Sequence, residues 1–93
     1  MKYRCHVIVS LKPGLLDPQG KAIEGSLPTM GWANVSNVRV GKYIELVVDA
    51  ETEAAAVSQV DEMAHRLLAN PVIEKYRIVA SAPFPGLTFE DVP

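Results

Sequence analysis

From Tyr3 to Leu11 the chain alternates with a period of two. Tyr3, Cys5, Val7, Val9 and Leu11 fall on one side, Lys2, Arg4, His6 and Ser10 on the other, and Ile8 is the single exception. This predicts a half-buried strand, whose apolar side needs a covering layer and whose backbone needs neighbouring strands. Lys12-Pro13-Gly14 ends it. With 93 residues there is one domain to build. A chain this short buries only about 60 to 65% of its unfolded surface when it folds alone, so small uncrosslinked domains often gain stability by association. The 48% hydrophobic content with 22% charge excludes a disordered chain, and the cations within the first strand exclude a signal-peptide core or a membrane span there. The lone Cys5 excludes an internal disulfide. A soluble, cytoplasmic domain is expected. A net charge of −2, with nine Lys/Arg and eleven Asp/Glu dispersed, leaves no basic footprint for nucleic acid or a membrane surface.

Asp17-Pro18 predicts a helix start, the Asp side chain capping free N–H groups and Pro occupying the first helical position. Ile23, Leu27 and Met30 share a face of this helix, but Gly20, Gly25 and Pro28 weaken it, so a bent helix ending near Gly31 is expected. Residues 38–48 read as a hairpin. A three-residue loop, 41–43, pairs Val40 with Ile44 and Val38 with Leu46 and so keeps the apolar side chains together. A second helix carries the stripe Val57, Val60, Ala64, Leu67 and Leu68, with Glu51 and Glu53 at its start, His65 and Arg66 near its end, and Asn70-Pro71 as its stop. Residues 73–80 read as a last strand with Tyr76, Ile78 and Ala80 on one face. The order βαββαβ predicts an α+β fold, an antiparallel sheet with two helices on one face, ferredoxin-like or closely related. Residues 1–80 form this domain. Residues 81–93, with Pro83, Phe84, Pro85, Phe89 and Pro93, read as an extension that either folds back over the sheet or anchors its Phe side chains in a partner.

A search for reactive groups finds none in a working arrangement. Cys5 lies mid-strand on the apolar side and His6 points to the opposite face, so the two are not a dyad. His65 sits where a helix C-terminus favours positive charge. Two histidines and one cysteine without metal-ligand spacing give no metal site, and dispersed glycines give no phosphate-cradling loop. Asp17 is explained as a helix cap, and Glu74, Lys75 and Arg77 as polar residues alternating along a strand. Tyr3, Tyr43 and Tyr76 on three strands lack the interleaved basic residues of an RNA-stacking platform. No catalytic residue is assigned.

Three segments are informative together: Val9-Ser10-Leu11-Lys12 followed by Leu16-Asp17-Pro18-Gln19-Gly20; Val38-Arg39-Val40-Gly41-Lys42-Tyr43-Ile44-Glu45-Leu46; and Leu67-Leu68-Ala69-Asn70-Pro71-Val72-Ile73-Glu74-Lys75-Tyr76. Their order and spacing resemble the PurS family, the small subunit of multi-chain phosphoribosylformylglycinamidine synthase, over residues 2–80. The resemblance implies a ferredoxin-like fold and a cytoplasmic homodimer or higher oligomer. It implies a non-catalytic subunit that joins a glutaminase to a large synthetase and supports ammonia transfer between them. That complex uses ATP, Mg and glutamine, with no cofactor held by the small subunit. Among the family-like positions, Asp17, Pro18, Gly20, Gly41 and Asn70 are expected to set backbone geometry. Lys12, Arg39, Lys42 and Tyr76, with Phe84 and Phe89 of the extension, are the candidates for partner contact. Pro28 and the extension depart from the family pattern. The alternative class is a ferredoxin-like sensor binding an amino acid or nucleotide at a dimer interface.

Overall fold

A computed structural model describes residues 1–85 and has the order β1 (Lys2–Leu11), α1 (Pro18–Ser26), a 3₁₀ turn (Pro28–Met30), β2 (Gly41–Asp49), α2 (Glu53–Met63), a π-helical turn (Ala64–Leu68) and β3 (Glu74–Pro83). The alternating N-terminal segment is the central strand of an antiparallel sheet ordered β2-β1-β3. Its apolar residues Tyr3, Cys5, Val7 and Val9 are all buried, and the same face continues through Ile44, Leu46 and Val48 of β2 and Tyr76 and Ile78 of β3. Ala56, Val60 and Ala64 bring α2 and its continuation down on that face. Small side chains let the helix approach closely, so a thin core still excludes water. Ile8 lies on the outer face, across from Tyr43 of β2 and Arg77 of β3.

The α+β class with an antiparallel sheet is what the chain folds into, but the hairpin within it does not form. β2 runs unbroken from Gly41 to Asp49, and residues 38–40 are not a strand. Their backbone is satisfied by side chains instead: the Val38 N–H donates to Glu24 Oε1 at 3.0 Å and the Val40 N–H to Asp17 Oδ2 at 2.7 Å. Gly41 serves a close approach rather than a turn. A Cβ there would lie 2.7 Å from the Val9 carbonyl oxygen. The described sheet therefore has three strands.

Two smaller differences have local causes. A bulge shifts the register between β1 and β3, pairing Val7 with Ile78 but His6 with Ala80, so Ala80 is on the outer face while Tyr76 and Ile78 face the core. The helix after Met63 widens into the π turn, closed by the Ala69 N–H donating to the Ala64 carbonyl at 3.0 Å. That rotation leaves Leu67 82% exposed and buries Ala69 instead. At the start of α2, Glu53 stands in the first turn as expected, and Thr52 caps the helix by accepting from the Ala55 N–H at 3.1 Å.

The bend at Pro28 occurs as the sequence predicts, dividing α1 from the 3₁₀ turn, which Gly31 closes at φ 107°. α1 buries only Gly20 and is anchored at the end of the sheet. The molecule is consequently long and thin, 51 × 30 × 13 Å. Its radius of gyration of 16.3 Å exceeds the roughly 12 Å of a compact chain of this length. β3 continues to Pro83, three residues past the strand end read from sequence, and the Phe84 N–H still donates to the Lys2 carbonyl at 2.8 Å. Phe89 lies outside the described residues.

Candidate subunit-docking site

The three sequence segments singled out above meet at one end of the sheet, where β1 ends and β2 and β3 begin. Asp17 is the centre of this cluster. It is 4% exposed, and its carboxylate accepts from the Gly20 N–H at 2.9 Å and from the Val40 N–H at 2.7 Å, so one side chain both starts α1 and holds the lead-in to β2. Those two backbone donors, Gly20 first, hold the Asp17 carboxyl below its ordinary value, aided by the positive charge of Arg39. Gly20 faces the same lead-in, where a Cβ would lie 2.2 Å from the Val38 carbonyl oxygen.

The cations at this end are occupied within the chain. Arg39 donates to the Leu15 carbonyl at 2.8 Å and the Lys12 carbonyl at 3.3 Å, tying the loop after β1 to the lead-in of β2. Lys12 reaches the Pro71 carbonyl at 2.7 Å, and its N–H donates to the Ile73 carbonyl at 2.9 Å. Lys42 lies 3.7 Å from Glu74 Oε2, while Glu74 Oε1 accepts from the Asn70 N–H at 2.7 Å. Asn70 Oδ1 in turn accepts from the Val72 N–H at 3.0 Å. Thus Lys12, Arg39 and Lys42, which in the sequence have no evident structural duty, each have one. Glu24 and Glu74 are working members of the cluster to which sequence reasoning gives no such role, since Val38 and Lys42, which they meet, lie far off in the chain.

Between these groups lies an open cleft of about 390 Å³, lined by Asp17, Pro18, Val40, Gly41, Lys42 and Glu74 together with the end of β1. Tyr76 stands apart from it. Its hydroxyl donates to Asp61 Oδ1 at 2.8 Å, fastening β3 to α2, and this bond leads the effects that raise the phenol above its ordinary value. Phe84 is at the opposite end of the sheet, with the Arg4 guanidinium 5.0 Å from its ring centroid and 43% of its surface exposed.

Among the described residues no reactive constellation accompanies the cleft. Cys5 is fully buried, and burial is the leading reason its thiol is pushed up, with the charge of Glu53 adding to it. His6 is fully buried on the outer face, its Nδ1 hydrogen-bonded to the Tyr43 hydroxyl. Among the described residues no three His, Cys, Asp or Glu side chains are grouped to hold a metal ion, and no helix is long and apolar enough to cross a membrane. What the arrangement offers is a rigid, well-bonded surface in which side chains fix the backbone.

The sequence model of a family described as "PurS: Phosphoribosylformylglycinamidine (FGAM) synthase" matches residues 4–82. The chain belongs to the PurS family. A phosphoribosylformylglycinamidine synthase subunit PurS from Synechocystis sp. is 50% identical over 74 residues, which cover 80% of this chain and 74% of the relative. Among solved structures, PurS of Thermus thermophilus superposes with a TM-score of 0.81 at 42% identity, covering 91% of this chain and 100% of that one. A structure described as PurLQS from Thermotoga maritima matches with a TM-score of 0.77 at 32% identity, covering 84% of this chain and 95% of that chain. The segments that carry the PurS resemblance are those that build the Asp17 cluster.

Proposed function

We propose that this chain is the non-catalytic small subunit of a cytoplasmic phosphoribosylformylglycinamidine synthase. In that role it bridges a glutaminase and a large synthetase that together convert formylglycinamide ribonucleotide, glutamine and ATP to the formylglycinamidine ribonucleotide. Its part is to hold the two chains so that ammonia released by one reaches the other. ATP, Mg and glutamine are used by the larger chains. The observation that carries this reading is the family match across residues 4–82. The geometry supports it, because the family-like residues Lys12, Asp17, Gly20, Arg39, Gly41 and Asn70 support backbone structure around a surface cleft. A homodimer is the expected minimum assembly, since β2 and β3 are edge strands and one thin layer of helix covers one face of the sheet.

Reconstitution tests the role. The cognate glutaminase and synthetase are assayed for glutamine-dependent product with and without this chain. A large drop in its absence, with ammonia-dependent product retained, is expected. An equal glutamine-dependent rate without it overturns the bridging role.

A further inference from the structure

Among the described residues, seven of the nine Lys and Arg side chains have a partner. Arg4 lies 3.2 Å from Glu45, Lys21 3.9 Å from Glu24, Lys42 3.7 Å from Glu74 and Arg66 3.2 Å from Glu62. Lys12 and Arg39 bond to carbonyls, and Lys2 acts on Asp49. Lys75 and Arg77 have no hydrogen bond or ion pair among the described residues, and both are exposed. They are two residues apart on β3, opposite Ser10 and Ile8 of β1, so both stand on the outer face of the sheet, about 7 Å apart along the strand. A recess of about 370 Å³ lies there, lined by Ile8, Ser10 and Tyr76 together with the two cations. α2 covers the other face.

In a chain of net charge −2 a local pair of cations that no described residue neutralises needs a reason. Of its acidic residues, Glu51, Glu53, Asp61 and Glu62 lie on α2 and its lead-in, on the opposite side of the sheet, and Glu45 and Asp49, which share the outer face, stand on the far strand β2 and are met by Arg4 and by the Met1 amine. The occupant can be argued from charge and from shape. A second copy laid on this face about a twofold axis through the pair would set like charges against each other. A phosphate group favours convergent donors, whereas two cations held apart beside the apolar Ile8 match separate carboxylates on a polypeptide that also carries apolar side chains.

We propose that the outer face of β3, centred on Lys75 and Arg77 with Ile8 and Ser10, is a docking surface for an acidic polypeptide segment of one of the two larger subunits. This rests on the bridging role above. It adds which face is used and what chemistry meets it.

The test measures the affinity of the full chain for the separately purified glutaminase and synthetase at low and high salt. Three forms are compared: wild type, Lys75→Glu with Arg77→Glu, and a control with the same charge change on α1 and the π turn, Lys21→Glu with Arg66→Glu. The β3 double variant should lose about tenfold or more in affinity for one larger subunit and show a flatter salt dependence, with self-association unchanged. The control should stay within about twofold. If the Glu pair fails to fold, Lys75→Gln with Arg77→Gln should still weaken binding about threefold or more. Unchanged affinity overturns the proposal, as does equal weakening by the control. Loss of self-association without loss of subunit affinity would assign the face to a second copy, and relief of subunit binding by inorganic phosphate or ADP would assign it to a phosphate compound; each overturns the proposal. A wild-type chain that binds neither larger subunit overturns the bridging reading along with it, whereas a binding wild type with an unaffected variant overturns this proposal alone.

Discussion

Gly20 and Gly25 lie in the same nine-residue helix, yet the structure predicts opposite outcomes when each is replaced by alanine. Alanine is favoured over glycine in a helix interior by about 1 kcal/mol, because glycine surrenders more backbone freedom on folding. At Gly25 nothing lies within 4 Å of an added Cβ, so Gly25→Ala should realise most of that gain. A stabilisation of roughly 0.5 to 1 kcal/mol is expected. At Gly20 the Cβ would meet the Val38 carbonyl oxygen at 2.2 Å. That oxygen is backbone in a lead-in held by Glu24 and Asp17, so relief requires moving α1 away from residues 38–40. Overpacking of this kind costs about 3 kcal/mol, and after the helix gain the net destabilisation is about 2 kcal/mol. Melting temperatures shift by roughly 4 to 8 °C per kcal/mol in a domain of this size. At equal protomer concentration, Gly25→Ala should therefore melt several degrees higher than wild type and Gly20→Ala about 10 °C lower. Thermal and urea unfolding followed by circular dichroism read both. Equal stabilisation by the two substitutions would refute the close packing of α1 on the β2 lead-in, and with it the double role of Asp17.

Other consequences are measurable on the same material. The π turn predicts that Val60→Ala, at a fully buried site, costs about 2 kcal/mol in urea unfolding, while Leu67→Ala, on the exposed side, stays within about 0.5 kcal/mol; a comparable loss at Leu67 would contradict the rotation. Asp17 has a folded-state pKa below its ordinary value of 3.8, so its contribution to stability is full above that value and is lost as pH falls through the folded one. Asp49 titrates low as well, mainly through its hydrogen bond to the Met1 amine, so the informative comparison is Asp17→Asn. This variant should be less stable than wild type at pH 7 but lose less on acidification below about pH 4, and parallel pH profiles would refute the assignment. Cys5→Ala should cost about 1 kcal/mol and leave the glutamine-dependent rate of the assembled complex unchanged, and the native thiol should react with a disulfide reagent only on unfolding. Loss of turnover by a folded Cys5→Ala variant would overturn the non-catalytic reading.

The elements written in local periodicity are legible in the sequence. The alternation from Tyr3 to Leu11 sets the central strand, Asp17-Pro18 sets the start of α1, and Pro28 bends the chain at the end of that helix. Residues 38–48 mislead because Val38, Arg39 and Val40 alternate like a strand and Gly41-Lys42 looks like a turn. The groups that decide the matter, Asp17 and Glu24, lie 23 and 14 residues away and substitute side-chain acceptors for a strand partner. No window of local sequence contains both sides of that bond. Ala80 and Leu67 depart from their expected faces for a different reason: a bulge and a π turn each alter the period within a run whose composition still fits the regular pattern. The Asp17 cluster is legible as motif residues but not as a network, because Arg39, Lys12 and Glu74 bond across elements whose meeting is a tertiary event. Lys75 and Arg77 show the converse limit. Their spacing places them on one face, but only the full set of ion pairs shows that they alone lack a partner among the described residues.

The central claim is that this chain joins two larger subunits, and sedimentation of the glutaminase and synthetase mixed with and without it tests that claim most directly. In the presence of ATP, Mg and glutamine, the account predicts one faster-sedimenting species containing all three chains, and separate glutaminase and synthetase boundaries when this chain is omitted. A stable glutaminase–synthetase complex of unchanged affinity in its absence would contradict it.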